Sequence, residues 1–388
     1  MTTVSPRIAR RAWAEVLLSP PAGRATKPFY LLAGLIVILT GLGLALVLSV
    51  SSVTGLYAGQ SPWFTFQRQL FWALGGFVAM IVTMRVDYLY WQKYARLLVA
   101  FTLLLLVAVL IPGIGTTANG ATRWIYFGPI SFQPSELAKL AMALFAAAWL
   151  TDKAGSEDDA RITIRPVLLV CSLMAGFILL QPNLGTAVII GFIAFASLFM
   201  AGVPLVPLTG WSLLSGGVAA LAAWGSGYRR DRVLSLFNEW DDPLNTGWQT
   251  IQSKVGIASG GLTGAGLGES RIKWGFLPEA HTDFIFSVIA EEMGWLGAML
   301  IIALFAVFVI CGFGVAVSSP DRFGQVLAAG ITMWVGVQAF VNIAAVVGVL
   351  PVTGVPLPFL SVGGSALLMN MASAGVLLNI SRQIRVEA

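Results

Sequence analysis

Residues 293–320 read MGWLGAMLIIALFAVFVICGFGVAVSSP, a run with no charged side chain between Glu292 and Asp321. About 20 residues of helix cross the hydrocarbon of a bilayer, so this run reads as a membrane helix. The pattern repeats along the chain. No Asp, Glu, Lys or Arg occurs between Lys27 and Arg68, Arg96 and Arg123, Arg165 and Arg229, or Arg322 and Arg382. Of the 388 residues, 57% are hydrophobic and 11% charged, against roughly 25% charged in a soluble domain. That composition excludes a soluble enzyme, a disordered chain and a nucleic-acid binder, although the formal net charge is +5.

Ten helices are predicted, at 29–51, 69–86, 96–113, 133–151, 166–182, 184–202, 205–225, 283–317, 324–348 and 363–381. The fold class is therefore an all-α integral membrane protein with about ten transmembrane helices. A tail at 1–28 precedes a polytopic membrane domain at 29–381, and a second tail follows at 382–388. One large hydrophilic loop, about 226–282, separates the seventh and eighth spans. The first span is longer than a signal-peptide core and is expected to be retained. Cys171 and Cys311 lie inside apolar runs, where they read as small buried hydrophobes.

Orientation follows from the basic residues. With the N-terminus cytoplasmic, the inner segments hold Arg7, Arg10, Arg11, Arg24 and Lys27, then Arg85, Lys93 and Arg96, then Lys153, Arg161 and Arg165, then Arg322, Arg382 and Arg385, fourteen of the 23 basic residues. The short outer loops hold only Arg68 and Arg123. Both termini inside and an even number of spans satisfy the positive-inside rule, and the +5 balance then needs no polyanionic partner. The stretch Arg7 to Leu18 reads either as a solvated tail or as an interfacial helix on anionic lipid. Glu157, Asp158 and Asp159 read as a solvated turn.

The outer loop at 226–282 is expected to be long and without regular structure, which is the usual mark of a functional loop. Its run Ser259-Gly260-Gly261-Leu262-Thr263-Gly264-Ala265-Gly266-Leu267-Gly268 lacks the Gly-Lys-Ser/Thr of a nucleotide site. Two readings remain: turns that need positive φ, or backbone amides lining a site for an anionic head group. His281 is the only histidine, and it either holds the loop by hydrogen bonds or serves the site.

Asp283 lies where this loop meets an apolar helix. A carboxylate at membrane depth costs roughly 3 kcal/mol and is a functional hypothesis by default; desolvation would raise its pKa and suit it to general-base work. Arg123 sits in another outer loop. Glu136 and Lys139, three positions apart, share one face of the fourth helix; they either neutralise each other, or Lys139 and Arg123 bind a diphosphate. Glu291 and Glu292 are candidates to support Asp283 or to pair with these bases. The hydrophobic, Pro- and Gly-rich loop 350–365 is expected to wall a cavity, since irregular backbone is tolerated at membrane depth only there or inside protein.

These segments resemble one family. Tyr228-Arg229-Arg230-Asp231-Arg232, Gly247-Trp248-Gln249 with Gln252-Ser253, Lys273, and above all Phe276-Leu277-Pro278-Glu279-Ala280-His281-Thr282-Asp283-Phe284-Ile285-Phe286 look like the signature of the SEDS proteins (shape, elongation, division, sporulation). So do Asn119-Gly120-Ala121 with Arg123-Trp124-Ile125, Gln133-Pro134-Ser135-Glu136 with Lys139, Gln181-Pro182-Asn183-Leu184-Gly185-Thr186, and Leu357-Pro358-Phe359 with Ser361 and Gly363-Gly364-Ser365. Leu350-Pro351-Val352-Thr353-Gly354 and Gly268-Glu269-Ser270 are more similar to the division branch than to the elongation branch. Val362 and Trp248 depart from the family, which commonly has Tyr at both places.

The resemblance implies a peptidoglycan glycosyltransferase of the bacterial cytoplasmic membrane. It would polymerise lipid II on the outer face, beside a class B penicillin-binding protein transpeptidase and other division proteins, among membrane lipid and without nucleic acid. It implies Asp283 as the catalytic residue and Arg123, Glu136, Lys139, Lys273, Glu279, His281, Gln252, Ser253, Ser361 and Ser365 as the substrate-binding set. No organic cofactor is implied, and a divalent cation, Mg or Mn, is the one inorganic helper the chemistry allows. The rival readings are an elongation polymerase, a lipid II flippase and a non-catalytic division scaffold.

Overall fold

The computed structural model describes residues 23–384, apart from 58, 60, 119, 120, 129, 157, 158, 160, 226, 238 and 246. The basic stretch Arg7 to Leu18, Arg385, Glu157 and Asp158 lie outside the described residues. Twelve helices and one three-stranded sheet form among those described: α1 (Lys27–Tyr57), α2 (Phe64–Arg85), α3 (Leu89–Ala108), β1 (Gly115–Ala118), β2 (Ala121–Phe127), β3 (Ile130–Phe132), α4 (Pro134–Asp152), α5 (Ile164–Leu180), α6 (Leu184–Met200), α7 (Leu205–Trp224), α8 (Gly227–Phe237), α9 (Trp248–Ser259), α10 (Ile285–Val317), α11 (Arg322–Val346) and α12 (Gly364–Ser381).

Each apolar run read as a span is a helix. Five are long and apolar enough to cross a membrane alone, among them Ile285–Val317 and Arg322–Val346, while α5 and α6 are apolar but shorter. The chain is an integral membrane protein, and its outward face carries large apolar side chains such as Phe71, Leu97, Leu104 and Ile310, a surface suited to lipid rather than water.

Small residues set the interior. The alanine-rich α4 is buried along nearly its whole length, as is α12. Where α2 crosses α12, a Cβ on Gly375 would stand 2.1 Å from Thr83 Oγ1 and 2.3 Å from Met80 O. The same closeness lets Thr83 Oγ1 donate to Ala372 O at 2.8 Å. Gly312 and Gly330 likewise let α11 approach α10, α4 and α6. Without a hydrophobic drive between helices in lipid, such close backbone approach carries the packing.

The first and last described segments meet. Arg24 N donates to Arg382 O at 3.0 Å and Thr26 Oγ1 to Ser381 O at 2.8 Å. The end of α10 lies on this side too, since Gly324 packs between Ser319 and Tyr88, and Tyr88 N donates to Asn379 in α12 at 3.0 Å. Asp283, just before the start of α10, is therefore at the opposite end of the bundle.

The structure corrects or extends the expectations in three places. The loop 226–282 is not structureless, because α8 and α9 occupy much of it. The outer loop that carries Arg123 holds an antiparallel sheet in the order β1-β2-β3, with Ile125 opposite Gly115 and Phe132. Alternating Thr, Trp, Ile and Tyr favour a strand there, and a Cβ on Gly115 would collide with Val109 O. Helices α2 and α3 begin at Phe64 and Leu89 rather than 69 and 96. Their first turns are polar and aromatic, and such residues extend a helix past the hydrocarbon without changing its hydrophobic length.

Candidate active site

The loop before α10 ends in a tight turn. The backbone N–H groups of Thr282, Asp283 and Phe284 converge on Glu279 O at 3.1, 3.2 and 3.3 Å. Glu279 itself sits at φ +56°, left-handed backbone that an L side chain adopts at a cost and that marks functional turns. Its carboxylate accepts from Thr282 Oγ1 at 2.9 Å. This turn holds Asp283 half-buried at the mouth of α10.

The loop 350–363 is laid directly against it. Gly354, at φ +71°, borders both the Asp283 carboxylate and the Arg123 guanidinium: a Cβ there would be 3.6 Å from Asp283 Oδ2 and 3.8 Å from Arg123 Nη1. Arg123, on β2, donates through Nε to Gln181 O at 2.9 Å and through Nη2 to Pro182 O. Arg232, midway along α8, donates to Val352 O at 2.8 Å. Burial pushes the Asp283 carboxyl up to about 6, and Glu279 adds to the rise while Arg232 and Arg123 oppose it. A carboxylate with that pKa is ionised at neutral pH and still basic enough to take a proton. Burial lowers the His281 imidazole below its usual range, against the pull of Glu279. His281 Nδ1 is buried without a hydrogen-bond partner, and its carbonyl accepts from Val362 N at 3.0 Å.

Glu136 and Lys139 form an ion pair, Nζ to Oε2 2.8 Å, with both side chains almost wholly buried. Lys139 Nζ also donates to Gln338 Oε1 at 2.7 Å and lies 4.9 Å from the Trp334 ring centroid. Of the two readings offered for this pair, the structure contains mutual neutralisation. Gln338 and Asn342, one turn apart on α11, were not among the expected site residues. Gln338 Nε2 donates to Pro356 O at 2.8 Å, and Asn342 Nδ2 donates to both Asp283 O and Val355 O at 2.8 Å. Two amides within an apolar run were the available signal.

The remaining expected residues divide. Ser361 Oγ accepts from Leu357 N at 2.9 Å within the loop 350–363, and Ser365 is buried just beyond it with an unpartnered hydroxyl. Gln252 and Ser253 lie on α9, where Ser253 Oγ is shared with Ser287 Oγ and Val346 O, both at 2.6 Å. Lys273 is buried against Glu292 at 3.2 Å and Ser49 Oγ at 3.0 Å.

Glu291 and Glu292 serve the loop rather than Asp283, which corrects their expected role. Glu291 accepts from Arg271 N at 3.0 Å, Ile272 N at 3.3 Å, Ser259 Oγ at 3.3 Å and Ser270 Oγ. Between them and the rest of α10 the helix kinks at Gly294 (φ 68°, ψ −169°). The kink releases carbonyls and N–H groups from the helical ladder. The glycine-rich run supplies their partners: Ala265 N donates to Glu291 O at 2.9 Å, Gly266 N to Glu292 O at 3.1 Å, Trp295 N to Gly261 O at 2.9 Å and Leu296 N to Leu262 O at 3.2 Å. Gly261, Gly264, Gly266 and Gly268 all have positive φ. Of the two readings of this run, turns requiring positive φ are what the fold contains, and these amides are spent on the broken helix. Among the described residues no group of three or more His, Cys, Asp or Glu side chains could hold a metal ion.

A family model described as FtsW, RodA and SpoVE cell cycle proteins matches residues 30–386. A probable peptidoglycan glycosyltransferase FtsW of Geobacter metallireducens is 41% identical over 349 residues, covering 90% of this chain and 93% of its own. Stage V sporulation protein E of Bacillus subtilis is 40% identical over 364 residues, covering 93% and 99%. Among solved structures, a peptidoglycan synthase complex studied for the coordination of polymerization and crosslinking contains a chain similar at TM-score 0.75 and 30% identity, over 90% of this chain and 96% of that one. The rod shape determining protein RodA of Thermus thermophilus gives TM-score 0.68 at 28% identity, over 92% and 97%.

Proposed function

We propose, from the premise that this chain belongs to the FtsW, RodA and SpoVE family of peptidoglycan glycosyltransferases, that it polymerises lipid II with Asp283 as general base. The observation that carries the reading is the half-buried Asp283 carboxylate, raised to about 6, beside Gly354 and Arg123 and within the electrostatic reach of Arg123 and Arg232, at the end of the bundle away from Arg24 and Arg382.

Asp283 takes the proton of the 4-hydroxyl on the acceptor's N-acetylglucosamine. The oxygen attacks the anomeric carbon of the donor strand as the bond to the diphosphate breaks, and undecaprenyl diphosphate departs with the bonding pair. Asp283 then returns its proton to water. A single displacement at the sugar carbon inverts configuration, so an α-linked donor yields a β-linked strand. Arg123 and Arg232 place positive charge where the diphosphate gathers negative charge, and such preorganised charge in a desolvated site is a large source of rate. Lys139 acts through its buried pair with Glu136 and its bond to Gln338. Among the described residues no cluster of three or more His, Cys, Asp or Glu side chains offers a cation site, and the step is written with this chain's own residues alone.

The basic residues assign the end of the bundle with Arg24 and Arg382 to the cytoplasm, which leaves Asp283 on the outer face where lipid II is used. Identity of 41% to a named FtsW, against 28% to RodA, favours a division role over elongation. Partnership with a class B penicillin-binding protein is supported by the likeness to a chain in a synthase complex. The test is polymerisation of purified lipid II by the full chain, with and without that transpeptidase. Asp283→Asn should abolish strand formation while leaving the protein folded. Wild-type activity in that variant would refute the base, and no activity in any preparation would return the scaffold or flippase.

A further inference from the structure

Asn342 lies on the buried face of α11, 2% exposed, in a helix otherwise rich in Ala, Val and Ile. A polar amide at such a place is expensive unless its groups are paired. Its Nδ2 uses both hydrogens on carbonyls that belong to different parts of the site: Asp283 O before α10 and Val355 O in the loop 350–363, each at 2.8 Å. Its Oδ1 is buried without a partner, so the residue is held by what it donates. One turn earlier Gln338 makes the parallel bond to Pro356 O and accepts from Lys139 Nζ and Trp334 Nε1.

Asp283 N is already tied to Glu279 O. With its carbonyl tied to Asn342, the base's backbone is fixed on both sides. Val355, the other carbonyl in the clamp, directly follows Gly354, the residue that borders both Asp283 and Arg123. We propose that Asn342 is a positioning residue: its single amide locks the base and the loop carrying Gly354 into one unit and so sets the distance between Asp283 and Arg123. This rests on the reading of Asp283 as the base. A misplacement of about 1 Å can cost on the order of a hundredfold in rate.

The test uses the purified full chain with its transpeptidase partner and lipid II as probe. Initial rates are measured against lipid II concentration and between roughly pH 5 and 8, for wild type, Asn342→Leu, Asn342→Ser and Asp283→Asn. Asn342→Leu keeps the branched shape of four side-chain heavy atoms without the donors and leaves the titratable and charged groups around Asp283, namely Glu279, Arg123, Arg232 and His281, in place. Its kcat should fall on the order of ten- to a hundredfold with KM little changed, and the acidic limb of the pH profile should move. Asn342→Ser, able to donate to one carbonyl only, should lie between Leu and wild type, and it carries the same test if the Leu variant does not fold. Unchanged kcat in the Leu and Ser variants, or a loss that matches the loss of folded protein with an unmoved pH profile, overturns the positioning role. Wild-type activity in Asp283→Asn instead brings down the base assignment, whatever Asn342 does.

Discussion

Removing one partner of the Glu136–Lys139 pair gives the sharpest test of the bundle's interior. The two side chains are 0% and 2% exposed and 2.8 Å apart, and Lys139 Nζ also donates to Gln338 Oε1 at 2.7 Å. Glu136→Gln or Lys139→Met leaves an uncompensated charge in a low-dielectric interior, which costs about 3–5 kcal/mol. For a chain of this size that is a fall of roughly 4–6 °C in unfolding temperature. The double variant Glu136→Gln/Lys139→Met removes both charges and should recover most of the loss, because a buried pair is often no better than an apolar replacement of similar volume. The assay is thermal unfolding in detergent micelles, run as a double-mutant cycle, with lipid II polymerisation measured on the same preparations. A coupling of about 3 kcal/mol is expected. Single variants that keep the wild-type unfolding temperature but raise KM for lipid II would refute the reasoning and make Lys139 a direct substrate ligand; so would a double variant as unstable as the singles.

Further outcomes follow from the site. Asp283 must be ionised to act, so kcat/KM should rise with pH and level off above about 6, a limb to be read from a pH–rate profile. Its folded-state pKa lies above the ordinary carboxylate value, so the proton is held more tightly in the folded state and this group adds stability as pH falls through about 6 toward 4; Asp283→Asn should remove that slope from unfolding measured across the same range. Gly354→Ala puts a Cβ 3.6 Å from Asp283 Oδ2 at φ +71°, costing about 1–2 kcal/mol in backbone strain and narrowing the space beside the carboxylate, so polymerisation should fall; Gly354→Asn should be less strained yet lower polymerisation at least as much, as seen by comparing unfolding temperature with activity. Glu291→Gln keeps the size but loses the charge that accepts four donors, at about 2 kcal/mol or more, and hydrogen exchange at the Arg271 and Ile272 amides should quicken.

The membrane helices were legible because a bilayer forces long apolar runs, and Asp283 stood out because a lone carboxylate at the edge of such a run is costly. The start of α3 was not legible, since Leu89 to Lys93 mixes aromatic and basic residues that no hydropathy window favours. The glycine-rich run was ambiguous because the positive φ of Gly261 or Gly266 looks the same whether its neighbours' amides face a ligand or a kinked helix; only Gly294, thirty residues away, decides it. Long-range pairings were the least readable. Lys139 meets Gln338 across 199 positions, and Asn342 meets Asp283 across 59, and nothing local in either segment names its partner.

The crossing of α2 with α12 joins Thr83 to Ala372, 289 positions apart. At about 5–20 residues per second a ribosome needs roughly 15–60 s to make the intervening chain. Through that interval α2 rests in the bilayer without the glycine-lined surface it is shaped to receive. Until Gly375 and its neighbours are made, the bundle cannot close on α2, so closure of the fold waits for α12.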